Sequence, residues 1–347
     1  MRIGTREVGP GRPCFVVAEI GMNHDGRLDK AKALIEAAAA AGVDAVKFQT
    51  FRATDIVNPA LPADYDPQEP VPARFKFFHE YIAQFELRYE WHDELIAFAR
   101  ERGLVFLSTP CSAEAVEFLA SRVPALKVAS MDLTNIPLLR DIGRRGKPVI
   151  VSTGIGTLAE IDEALRTLRA AGASEPALLH CVSNYPARPE LLNLRNIPML
   201  REAFEVPVGF SDHSLGMASA VAAVAIGACI VEKHITLDRK TPGPDHYFAL
   251  EPQGFRDLVA GIREAEAALG SPARTMDESE RVKKTTYRRS LVARRDLPPG
   301  HRLGSEDLAV IRPGSGIPPS ALEDVLGMAL HKAVRAHEPL TWGHLKP

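Results

Sequence analysis

Between Cys14 and about Gly270 the chain alternates short apolar runs with longer amphipathic stretches. The runs are Cys14–Glu19, Ala45–Gln49, Val105–Ser108, Ala125–Val128, Pro148–Ser152, Ala177–His180, Pro207–Ser211 and Cys229–His234. Their apolar residues are close to continuous, the pattern of parallel strands buried on both faces. Between them, Leu28–Ala41 sets apolar residues at helical spacing and is followed by Gly42, a helix stop signal. Trp91–Arg102, Leu158–Ala171, Met217–Ile226 and Pro252–Leu269 read the same way. Eight strand–helix units in a stretch of this length predict an α/β fold of the TIM (β/α)8 barrel type. A doubly wound open sheet is the competitor. No G-x-G-x-x-G follows the first strand, which weakens its dinucleotide-binding form.

Two segments break the alternation. Phe51–Arg88 carries Pro59, Pro62, Pro67, Pro70 and Pro72, then Phe75, Phe77, Phe78, Tyr81 and Phe85. A connection of this length is a lid, an interface segment or an ordered insertion. Beyond Gly270, Ser271–Thr286 is polar and reads as a linker. Arg288–Pro347 then has short β-like runs, Ser290–Ala293, Leu308–Ile311 and Ala333–Ala336, broken by LPPG, RPGSG and GIPP. The expected divisions are a barrel over 1–272, a linker over 273–287 and a small β-rich module over 288–347.

Composition narrows the function classes. The chain of 347 residues is 46% hydrophobic and 25% charged, ordinary for a globular protein. Its net charge of −2 gives no electrostatic case for nucleic acid or an anionic membrane as a partner. No apolar run approaches the roughly 18–20 residues that span a bilayer. The start, MRIGTREVGPGRP, lacks a hydrophobic signal core. Cys14, Cys111, Cys181 and Cys229 form no C-x-x-C pair and read as reduced, buried thiols of a cytoplasmic protein.

In a barrel of this type the chemistry collects where strands end. Those ends read Glu19; Lys47-Phe48-Gln49; Ser108-Thr109; Lys127 with Ser130; Ser152-Thr153; His180 to Tyr185; Ser211-Asp212-His213; and Glu232-Lys233-His234. Buried Lys, Glu and His are costly unless paired or liganded, so a ring of them marks a site. His213 and His234 end adjacent strands and suit a divalent metal, with Glu19 and Asp245 as possible oxygen donors. So few nitrogens leave open positions, as in catalytic Mn, Mg or Zn sites. Lys47, Lys127, Ser130, Ser152 and Ser211, with Thr109 and Gln49, describe a pocket for a dianion such as a phosphate plus a carboxylate. A strand-borne lysine is also what a Schiff-base aldolase needs.

The strings FVVAEIGMNHDG, AGVDAVKFQTF, FLSTPCS, LKVAS, VIVSTGIG, HCVSNYPA, GFSDHSLG, VEKHITLD and GPDH resemble the sialic acid (N-acetylneuraminate) synthase family in order and spacing. YRRSLVA, DLPPGHRL and IRPGSGIPP resemble that family's C-terminal antifreeze-like (SAF, β-clip) domain. The resemblance implies a TIM barrel with this small domain, in a domain-swapped homodimer. It implies condensation of phosphoenolpyruvate with the open-chain aldehyde of an N-acetylated amino sugar, giving a nine-carbon 2-keto acid and phosphate, with Mn2+ or another divalent cation.

Residue by residue, the resemblance implies that His213 and His234 hold the metal, with Glu232 beside it, and that Glu19 is the active-site glutamate. It gives Lys47, Lys127, Gln49, Thr109, Ser130, Ser152 and Ser211 to phosphoenolpyruvate. Asp245 and Tyr185 go to the sugar, and Arg312 reaches its N-acetyl group from a partner subunit. Met131, Ser183 and Asn184 depart from the commoner family residues on the sugar side. N-acetylmannosamine, its 6-phosphate and 2,4-diacetamido sugars therefore all stand as substrates. The other classes weighed are a Schiff-base barrel aldolase and a non-catalytic carbohydrate- or ice-binding protein.

Overall fold

The computed structural model describes residues 1–65 and 71–345. Pro67 and Pro70 of the long connection lie outside the described residues. The chain divides into two units, 1–270 and 271–347.

The first unit contains eight parallel strands: β1 Phe15–Gly21, β2 Ala45–Thr50, β3 Val105–Pro110, β4 Leu126–Val128, β5 Val149–Ser152, β6 Pro176–Cys181, β7 Val208–Asp212 and β8 Ile230–His234. Their order is β3-β2-β1-β8-β7-β6-β5-β4. β3 and β4 lie side by side without a ladder, so the ring is nearly closed. A helix follows each strand: α1 Leu28–Ala41, α2 His92–Glu101, α3 Ala113–Ala120, α4 Ile136–Gly143, α5 Leu158–Ala171, α6 Asn196–Phe204, α7 Ala218–Ala225 and α8 Pro252–Leu269. The fold is the barrel that the alternation predicts.

The helices form for local reasons. In α1, Ala31, Leu34, Ile35, Ala38 and Ala41 are buried on one face, and Gly42 ends the helix at φ 79°. In α5 the Thr157 side chain caps the Glu160 N–H while Glu160 caps Thr157 in return. The sequence pattern does not single out α3, α4 and α6. They have eight or nine residues each, and in α4 Leu138, Leu139 and Ile142 still form a buried face that the sequence reading passed over.

The barrel interior has an apolar lower layer. Phe15, Val17, Ala45, Leu107, Ala125, Ile150, Ala177, Leu179 and Ile230 pack there, and Ile3 and Val8 join them from the N-terminal hairpin Arg2–Ile3/Arg6–Glu7. Gly209 sits at this level. A Cβ there would lie 2.6 Å from Ile230 Cβ and 2.7 Å from Leu179 Cδ2, so only glycine fits without displacement.

The described residues of the connection 51–88 hold two α-helices. Ala53–Ile56 and Phe78–Ile82 are short helices. Phe51, Ala53, Phe78, Ile82 and Cys111 make a small separate core, with Tyr81 packed against it.

In the second unit, the stretch expected as a linker contains a helix, α9 Glu278–Tyr287, capped by Asp277 Oδ1 accepting from Glu280 N. None of its residues is buried, so no apolar periodicity signals it in the sequence. β9 Ser290–Ala293 pairs antiparallel with β10 Leu308–Ile311. Ala333–Ala336 is not a strand; Val334 alone bridges to Leu297, because the surrounding turns leave no room for a ladder. No helix among the described residues is long and apolar enough to cross a membrane.

Candidate active site

Side chains on one face of a strand recur every second residue. Two residues above the apolar layer, the interior positions become Glu19, Lys47, Thr109, Lys127, Ser152, Cys181, Ser211 and Glu232. The polar layer is thus the next step of the period that builds the core below it. It floors a cavity of about 1140 Å³ at the C-terminal ends of the strands.

Four charges alternate across this floor. Lys47 Nζ lies 2.8 Å from Glu19 Oε2 and 3.7 Å from Glu232 Oε2, and Lys127 Nζ lies 3.9 Å from Glu232 Oε1. Thr109 Oγ1 accepts from Lys47 at 3.2 Å, and Ser152 Oγ and Val128 O accept from Lys127 at 2.6 and 3.1 Å. Gln49 Nε2 donates to Glu19 Oε1, and Ser211 Oγ to Glu232 Oε1, both at 3.1 Å. Burial raises the Glu19 pKa, and Lys47 only partly offsets it. Burial opposes the charge of Glu232 too, yet Lys127 and Lys47 hold its pKa below the usual range. For Lys47 the carboxylates outweigh burial and raise the pKa; for Lys127 burial wins and lowers it. The two carboxyls are therefore pushed apart, the condition for one to carry a proton while the other stays ionised.

To one side stand two imidazoles. The His213 and His234 rings are 5.5 Å apart, with Phe248 4.8 Å from His234 and Tyr185 4.3 Å from His213. His213 Nδ1 donates to Val182 O at 3.1 Å, which fixes its ring and leaves Nε2 for a ligand. His234 Nδ1 is buried with no hydrogen-bond partner, and Asp245 Oδ2 stands 3.6 Å away. Among the described residues no group of three or more His, Cys, Asp or Glu is placed to hold an ion. The donor set fits a metal bound by two protein nitrogens, with substrate or water oxygens completing its shell.

All the barrel residues to which the sequence reading gave a metal, catalytic or substrate role line this one cavity: Glu19, Lys47, Gln49, Thr109, Lys127, Ser130, Ser152, Ser183, Tyr185, Ser211, His213, Glu232, His234 and Asp245. Ser130 Oγ accepts from Gly154 N at 3.0 Å, and Ser183 Oγ is buried without a partner. His180 and Lys233 end strands but serve elsewhere. His180 Nε2 donates to Leu192 O, and Lys233 pairs with Asp212 at 2.7 Å. Arg312 lies in the second unit, donates to Tyr287 O at 3.1 Å and stacks on the Tyr287 ring.

The sequence reading missed several lining residues. Cys181, read as a plain buried thiol, lies 3.9 Å from His213 Nδ1. The period of two, counted from Leu179, would have found it. Tyr81 and Ile82 come from the short helix Phe78–Ile82 of the long connection, and Arg188, Ile155 and Tyr247 from loops, where no strand period points to them. All four cysteines are free and buried, as expected.

Comparison with known proteins agrees with this geometry. The NeuB family matches residues 34–274, and the SAF domain matches 288–346. The chain is 38% identical to the N,N'-diacetyllegionaminic acid synthase of Legionella pneumophila, across 99% of this chain and 98% of that one. It is 34% identical to the pseudaminic acid synthase of Campylobacter jejuni, across 95% and 96%. Its structure aligns with the N-acetylneuraminic acid synthetase of Leptospira borgpetersenii at a TM-score of 0.73 and 30% identity, covering 82% of this chain and 94% of that one. With both domain matches, whole-length relatives and one cavity holding the strand-end polar layer, the chain belongs to the NeuB family and is a sialic-acid-synthase-like enzyme with a C-terminal SAF domain.

Proposed function

We propose that the cavity condenses phosphoenolpyruvate with the aldehyde of an N-acetylated amino sugar, giving a nine-carbon 2-keto sugar acid and phosphate. The observation that carries this is the buried row Glu19–Lys47–Glu232–Lys127 beneath a cavity roomy enough for two substrates. Lys47 and Lys127, with the hydroxyls of Thr109, Ser152 and Ser211, would neutralise the phosphate and carboxylate of phosphoenolpyruvate. C3 of the enol ether attacks the aldehyde carbon, whose oxygen takes the proton held by the Glu19 carboxyl, the acid whose pKa burial raises. The cation left at C2 is captured by water, whose proton passes to Glu19. C–O cleavage then releases phosphate, which carries off the hydroxyl proton, and leaves the 2-keto group. Holding both substrates aligned and dry supplies much of the rate.

His213 and His234 would hold a divalent cation, Mn2+ in our reading, which as a Lewis acid polarises and orients the sugar aldehyde when bound. The sugar proposed first is of the 2,4-diacetamido-trideoxy class, on the likeness to the Legionella synthase. Met131, Ile155 and Leu191 line the cavity with exposed apolar surface that suits acetamido and deoxy groups. The same exposed rim supports a cover over the mouth. We assign that cover to a second copy of the chain, whose Arg312 would approach the N-acetyl group, in a cytoplasmic homodimer.

Burial lowers the Lys127 pKa, which would also suit a Schiff-base aldolase. Borohydride reduction with pyruvate separates the two: the synthase leaves no lysine adduct. The direct test is phosphate release from phosphoenolpyruvate with Mn2+, against N-acetylmannosamine, its 6-phosphate and 2,4-diacetamido sugars. Release with a 2,4-diacetamido sugar is expected. Release with none of the panel would overturn the reading.

A further inference from the structure

Two of the family-like strings, FVVAEIGMNHDG and GPDH, contain a histidine or an acid that the reaction does not use. His246 follows Asp245 and is fully buried, yet it does not line the cavity. Its Nε2 donates to Asp25 Oδ1 at 2.9 Å, and its Nδ1 shares a hydrogen with Thr236 Oγ1 at 2.7 Å. Asp25 is itself paired with Lys30 and has a left-handed backbone, φ 51°.

These contacts tie together the loop that follows β8. Its ends are joined: Thr236 N donates to Leu250 O, and Leu250 N to His234 O, each at 2.9 Å. The loop between them brings Asp245 and Tyr247 to the cavity and Phe248 against His234. His246 is bonded at one ring nitrogen to the foot of this loop and at the other to the loop after β1. A second tie runs in parallel, from Asn23 Nδ2 to Ile235 O at 2.9 Å. Space around the histidine is tight, since a Cβ on Gly243 would lie 2.7 Å from its Cδ2.

We propose that His246 and Asp25 are positioning residues: their hydrogen bond, with Thr236 behind it, clamps the 235–250 loop so that Asp245 and Tyr247 are held in place for the sugar. Neither touches the reacting atoms. Phosphoenolpyruvate is held by strand-borne groups outside the clamp, so the clamp serves one substrate and not the other. This rests on the proposed function for the identity of the two substrates.

The test compares Asp25→Leu, His246→Leu and Asp25→Asn, which keeps an acceptor for the His246 N–H. With the sugar that the wild-type enzyme turns over, the leucine variants are expected to raise KM for the sugar ~10- to 100-fold, as misplacement by about an ångström does. KM for phosphoenolpyruvate should stay within about twofold, and Asp25→Asn should recover most of the loss. Equal rises in both KM values, or no rise in either, would overturn the clamp. Hydrogen exchange gives a readout independent of the reaction. Amides of 236–250 should exchange faster in the leucine variants while those of β1 and β2 do not. If they stay protected, the clamp fails even where the proposed reaction stands. If exchange rises but the wild type turns over no sugar, the reaction fails and the clamp remains.

Discussion

Lys47 Nζ stands 2.8 Å from Glu19 Oε2, an ion pair in which both side chains are almost fully buried. It is shared, because Glu232 Oε2 lies 3.7 Å from the same ammonium. Removing the cation leaves Glu19 without its ion-pair partner and Glu232 with Lys127 alone, both buried. Lys47→Met should therefore destabilise the barrel by ~3–5 kcal/mol in urea titrations. Glu19→Gln keeps the shape but cannot carry the transferred proton, and turnover should fall at least ~100-fold with KM for phosphoenolpyruvate little changed.

The two histidines give a prediction about metal. Dialysis against EDTA should abolish phosphate release, and added Mn2+ should restore it. His213→Ala and His234→Ala should each weaken Mn2+ binding, read directly by electron paramagnetic resonance of the free ion. Full binding by both variants would place the ion elsewhere.

Subunit mixing tests the proposed cover. The Arg312→Ala and Glu19→Gln variants should each be nearly inactive. Mixed and allowed to exchange, they should regain activity, because one hybrid site then has an intact barrel and an intact Arg312. Absence of any recovery, with exchange shown by a mass tag, would argue for a site built from one chain.

Gly209 makes a packing prediction. An added methyl would meet Ile230 and Leu179 inside the barrel, where the neighbours include backbone. Gly209→Ala should lower stability by ~1–3 kcal/mol in denaturant titrations.

His24 gives a pH signature. It is buried against Phe48, its Nδ1 accepts from Gly26 N at 3.1 Å, and its Nε2 has no partner. Burial lowers its pKa from 6.5 to about 4. The unfolded chain then binds more protons between those values, so stability is highest above pH 6.5 and falls as pH drops toward 4. The loss is about 3 kcal/mol. His24→Asn should lose correspondingly less over the same interval in denaturation followed at each pH.

Much of the barrel was legible because its signals are local. Near-continuous apolar runs such as Val149–Ser152 can be satisfied only by burial on both faces. The Gly42 and Gly172 stops are written in single residues. Helices α3, α4 and α6 were passed over although α4 has a buried apolar face, and α9 was not legible because it buries no residue and so shows no apolar period. Strand ends located most of the site for the same local reason. Arg188 reaches the cavity from a loop and Tyr81 from a short helix of the long connection, and no strand period assigns either to the site.

The sequence by itself determined the unit that repeats, the residues that end each strand, and through the period of two the side chains that share the barrel interior. Tertiary structure alone decided who meets whom. β8 pairs with β1 in a register that sets Glu232 opposite Val17 and His234 opposite Glu19, across more than two hundred residues of chain. That register makes Lys47 a shared cation and brings His246 to Asp25. The physical reason is that hydrophobic pattern is a property of neighbouring residues. Ring closure and strand register are instead fixed by the packing of all eight strands and their helices at once.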